Sequence, residues 1–311
     1  MIDRFSNIKF TVNEYYIMAE LLKASYKMEA ILDGEDEDLD SIEPAQREQV
    51  KSQYHEFITL AKALAARVSS INDFVNFGTS YDTKPEGERE QYDSAMGKRV
   101  RNLASVQNGE EFIALEGEET LAAFETIKQT DFYKYALARA MEHRDYLQQI
   151  FDTQTSKVED DINNLLGDSS KSNVEMVVLP PEFFGDPQAI NRTGGNNRIS
   201  AAFPRAYFER DVKGLTATAM LHEIFHTEIP VDRSDFQSEE EYNQYSYINH
   251  ALVELSANYE IGMRLCGLQS YFDPRMSVHK EDEMTPARGK TYPYFLMYKN
   301  RNSNNVLQLV S

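Results

Sequence analysis

Apolar residues return at helical intervals through most of the first 165 or so positions. Tyr15, Met18, Ala19, Leu22, Tyr26 and the run from Met28 to Ile31 mark one stripe; Val50, Tyr54, Phe57, Ile58, Ala61 and Leu64 mark another. A period near 3.6 residues predicts amphipathic helices. The second stripe starts near Pro44, whose fixed φ suits a first helical turn. Further helices are predicted around 119–128 and 131–150, and from Val158 to Leu166. The acidic run 34–40 and the stretch 78–92, rich in Gly, Pro, Asp and Glu, are expected as solvated loops. There is no internal repeat.

The pattern changes after the polar cluster Gly167-Asp168-Ser169-Ser170-Lys171-Ser172-Asn173. This is the best candidate boundary, dividing a helical region, 1–170, from a second region, 171–311. Val174–Leu179 is rich in β-formers and is closed by Pro180-Pro181. Residues 191–197, with Gly194-Gly195, predict a turn. Arg198–Phe203 and Ala206–Glu209 predict strand, with Pro204 suggesting an edge or a bulge. Gly214 precedes a predicted helix over about 215–228, stopped by Pro230. An acidic loop, 232–241, leads to a second helix from about 242 to 266 that ends at Gly267. The last 40 or so residues read as loop-rich.

The segment that carries chemistry is Leu221-His222-Glu223-Ile224-Phe225-His226, an H-E-x-x-H sequence. On a helix, residues four apart share a face, so both histidines can aim a ring nitrogen at one ion. Glu223 projects nearby and can take a proton from metal-bound water. Neutral imidazole suits Zn²⁺, and a catalytic zinc needs three protein ligands and one open position. Histidine is rare here, six in the chain, and no Pro or Gly interrupts the motif. Ala217, Ala219, Met220, Ile224 and Phe225 predict a mostly buried helix around it. The bland alternative is a helix whose histidines merely pack or cap.

A third ligand is required, and the second helix offers one in Ile248-Asn249-His250-Ala251-Leu252-Val253-Glu254-Leu255-Ser256-Ala257-Asn258-Tyr259. Over about residues 198–266 the chain resembles the zincin metallopeptidases, and within them the gluzincin branch. The resemblance implies Zn²⁺, one per chain, held by His222, His226 and Glu254. It places Asn258 where the family usually has Asp, as the side chain that orients a ligand histidine without the negative charge. His250, one turn before Glu254, is either a further ligand or a residue orienting a ligand or touching substrate. Asp232 lies six residues after His226, as in the metzincin pattern, but Ile229 replaces the glycine of that pattern's turn. Glu228 also departs from the usual hydrophobic residue two places beyond the second histidine. Tyr245, Tyr247 and His279 are the candidates for a hydrogen bond to the tetrahedral oxyanion, Tyr245 and His279 by their family-like placement. In zincins an edge strand just before the metal helix binds extended peptide by β-addition; 198–209 is the corresponding segment here, or else an ordinary strand.

The implied fold class is α+β, a helical N-terminal region packed on a zincin-like catalytic region with a small sheet and two metal-site helices. The implied activity is zinc-dependent hydrolysis of peptide bonds in protein or peptide substrates. Two other classes stay open: a metal-binding but catalytically silent interaction protein, and a non-proteolytic zinc hydrolase. The intact Glu223 speaks against silence, since a silent descendant is free to lose its base.

Composition bears on partners and compartment. The 311 residues are 41% hydrophobic, enough for one large domain or two modest ones. Thirty-two basic against 51 acidic residues give a net charge of −19, which argues against nucleic acid and disfavours anionic membranes. That charge favours a protein substrate with a basic surface, or serves solubility alone. No apolar run is long enough to span a membrane. The lone cysteine, Cys266, has no internal disulfide partner and is expected as a buried structural thiol. The first residues lack a basic-then-apolar signal layout. The expectation is a cytoplasmic protein, or one exported without a cleaved signal. A short zincin motif, few cysteines, acidity and unfamiliar flanking helices resemble in style the bacterial effector metalloproteases.

Overall fold

A computed structural model describes residues 5–25, 28, 32–33, 42–80, 86–160, 162, 174–183, 188–191, 198–202, 213–228, 238, 261 and 265. For 78–80, 86–94, 182, 188–191, 198–202, 213, 215 and 226–228 it describes the backbone alone. Among the described residues the chain is mostly helical, with one small sheet, and is compatible with the α+β class.

Helix α1 (Glu14–Lys23) starts where Asn13 caps it, accepting a hydrogen bond from Tyr16 N at 2.9 Å. Asn13 Nδ2 also donates to the Val106 carbonyl at 2.7 Å, fixing the helix start to a distant loop. Tyr16, Ile17, Met18, Ala19, Leu21 and Leu22 are all fully buried. Residues 16–22 are buried without a break, Glu20 among them, so α1 is a central helix. The helices that follow are α2 (Pro44–Ala65), α3 (Ser69–Ser80), α4 (Glu86–Leu103), α5 (Gly109–Glu116), α6 (Glu118–Ile127) and α7 (Asp131–Thr155), and α1 packs on α3, α4 and α7. Val50, Tyr54, Phe57, Ile58 and Ala61 of α2 are buried, as the stripe predicted. Gly117 joins α5 to α6 at φ 87°, a backbone angle that L-residues with a Cβ rarely adopt.

Arg99 binds three helices together. Its Nε donates to Glu116 of α5 at 2.9 Å, Nη1 to Asp73 of α3 at 2.9 Å, and Nη2 to Ser70 Oγ at 2.7 Å. The guanidinium also lies 4.7 Å from the Phe74 ring centroid. Donating hydrogen bonds to the Glu116 carboxylate holds the Arg99 pKa above its usual range despite partial burial.

Within the stretch expected as a loop over 78–92, residues 78–80 end α3 and 86–92 begin α4, while 81–85 lie outside the described residues. Its composition misleads because Pro85 and the acidic residues Glu86 and Glu88 are residue types that favour helix starts. Helix α7 also runs to Thr155, beyond the expected 150. Two strands form where the sequence pattern predicts none, β1 (Lys9–Thr11) and β3 (Gln188–Asn191). The acidic run 34–40 lies outside the described residues.

The sheet comprises β1, β2 (Glu175–Val178), β3 and β4 (Arg198–Ala202) in the order β1-β2-β4-β3. β1 pairs with β2 and β2 with β4 in parallel, and β3 pairs with β4 antiparallel. Strands from before and after the polar cluster at 167–173 thus join in one sheet. Val177, Leu179 and Phe183 enter the same apolar cluster as the helices, while Met176 and Val178 are buried as well. Side chains alternate along a strand, so both faces of β2 are covered, as a parallel sheet needs. Helix α7 packs on β1 and β2, and its Phe151 meets Phe5 and Phe10 at ring-centroid distances of 5.5 and 5.6 Å. Helix α8 (Lys213–Glu228) packs on α7 and against β3 and β4. The two helices therefore lie side by side over the sheet.

Burial on α7 sets an acid limit to this packing. His143 is 4% exposed, and its pKa is pushed down to about 3 by desolvation and then by the Arg139 charge. In the unfolded chain a histidine titrates near 6.5. Between these values the unfolded state binds a proton that the folded state refuses, so stability falls as pH drops below about 6.5 towards 3. This residue alone is expected to cost about 2 kcal/mol at pH 5 relative to pH 7. Urea midpoints of the wild type and His143→Phe at both values check this. The variant should show the shallower pH dependence, and equal slopes would contradict it.

Candidate metal centre

Helix α8 forms because Ala217, Ala219, Met220, Leu221 and Glu223 are strong helix formers. Pro230 follows closely, and the residue before a proline avoids the helical region. This agrees with an end at Glu228. The observed span, Lys213–Glu228, matches the expected 215–228 to within two residues. Thr216, Ala217, Thr218, Ala219, Met220, Leu221, Ile224 and Phe225 are all buried. This helix is held from several sides, which keeps its residues at fixed angular positions.

His222 and Glu223 break that pattern, as both are half-buried. They sit at the margin of the packed surface. The Nδ1 of His222 is itself buried. His226 follows on the same unbroken helix. At 3.6 residues per turn it stands roughly 40° around the axis from His222, and Glu223 roughly 60° beyond His226. Two histidines one turn apart on a helix are donors of the kind that suits Zn²⁺, and a carboxylate beside them is placed as a base rather than as a ligand.

The other proposed side chains are placed less fully. The His226 side chain lies outside the described residues, although its backbone is described. Glu254, Asn258, His250, Tyr245, Tyr247, His279 and the alternative ligand Asp232 all lie outside them, as does Cys266. The predicted helix 242–266 falls there too, apart from Ile261, which is buried, and Leu265, which is half-buried. Among the described residues no three His, Cys, Asp or Glu side chains converge on a common point. Within that same set no helix is long and apolar enough to cross a membrane.

One expectation about the site changes. Of the segment 198–209, the corresponding edge strand by the zincin resemblance, β4 is flanked on both sides, by β2 and β3, and 203–209 lies outside the described residues. Among the described residues the outermost strand next to α8 is β3. The four residues Gln-Ala-Ile-Asn offer too short and too weak an alternation to be read as a strand. Comparison with known protein families, with curated proteins and with solved structures gave no match.

Proposed function

We propose that this chain is a zinc-dependent metallopeptidase that cleaves peptide bonds in protein or peptide substrates. The observation that carries the reading is the H-E-x-x-H sequence on one unbroken, well-packed helix, with His222 and Glu223 at its half-buried margin. His222, His226 and Glu254 would hold the ion, and Asn258 or His250 would orient a ligand ring. Bound zinc supplies Lewis acidity towards the scissile carbonyl and lowers the pKa of water. Glu223 takes the proton from the attacking water and returns it to the leaving amine. Tyr245, Tyr247 or His279 donates a hydrogen bond to the developing oxyanion. Among the described residues β3 is the outermost strand beside α8, and its edge would receive the substrate as an added strand, backbone amides and carbonyls paired with those of the peptide. The net charge of −19 favours substrates with basic surfaces, and an effector-type role fits the same acidity.

The ligand set is tested by elemental analysis of single variants. His222→Ala and His226→Ala should each lower zinc affinity by more than about 100-fold, because two ligands leave the ion under-coordinated. Glu254→Ala should do the same, whereas Asp232→Ala and His250→Ala should keep the metal. If Asp232→Ala strips the zinc and Glu254→Ala does not, the third ligand is Asp232 and the metzincin-like arrangement holds. Full zinc content in both histidine variants would move the metal elsewhere.

A further inference from the structure

We draw no further inference here: the strongest candidate, the outer edge of strand β3 beside helix α8, belongs to the site already described and restates its proposed role in holding substrate.

Discussion

Replacing Glu223 by Gln is expected to lower peptide hydrolysis by at least about 10²–10⁴-fold while leaving zinc content unchanged. The two halves of that result come from different physics. A positioned general base contributes about 10²–10⁴-fold to rate, and Gln keeps the size of Glu but cannot accept a proton at neutral pH. Zinc retention follows from geometry. Glu223 stands next to His222 in sequence and so about 100° away around the helix axis, whereas the two proposed histidine ligands stand one above the other. Packing should survive too, because Glu223 is only half-buried and its neighbours Ile224 and Phe225 carry the apolar contact. Activity assays against a peptide mixture, paired with metal analysis, read both outcomes. An active Glu223→Gln variant would remove Glu223 as the base, and a zinc-free one would make it a ligand.

A chain beginning at residue 173 is expected to be insoluble and inactive, although it keeps His222, Glu223, His226 and Glu254. The sheet explains why. Removing β1 exposes the backbone edge of β2, whose Met176, Val177 and Val178 are at most 1% exposed in the full chain. An uncovered, apolar edge strand is a template for aggregation. Removing α7 also strips the helix that packs on both β2 and α8, and removing the helical core uncovers Val177, Leu179 and Phe183. Each large apolar side chain returned to water costs roughly 1.5–3 kcal/mol, against a total stability for a domain of only about 5–15 kcal/mol. Expression of the truncated and full chains side by side, followed by assay of the soluble fractions, gives the comparison. A soluble, fully active fragment would mean that the N-terminal strand and helices do not support the site.

The sequence was most legible where one physical signal dominated. The stripe in α2 and the buried run in β2 are periodicity and β-propensity acting without competition. Helix α8 was legible because strong helix formers recur from Ala217 to Glu223 without a breaker, and Pro230 marks its end. Legibility failed where signals conflicted. Around Pro85, residue types common to loops are equally those that start a helix, and only the tertiary context of α3 and α4 decides between them. β1 is three residues long and pairs with a strand more than 160 positions away. No local pattern encodes so distant a partner. The same holds for the edge of the sheet: Pro204 pointed to an edge near 198–209, but which strand lies outermost is set by pairing order. For the site, spacing within one helix placed His222, Glu223 and His226 together, whereas a third ligand depends on how a separate segment folds back, which spacing alone does not fix.

The most direct test of the account is the digestion of a broad peptide library by the full chain, read by mass spectrometry before chelation, after chelation and after zinc is restored. The account predicts cleavage that disappears on removal of the metal and returns with about one equivalent of Zn²⁺ per chain. Cleavage that persists without metal, or no cleavage by the zinc-loaded chain, would contradict it.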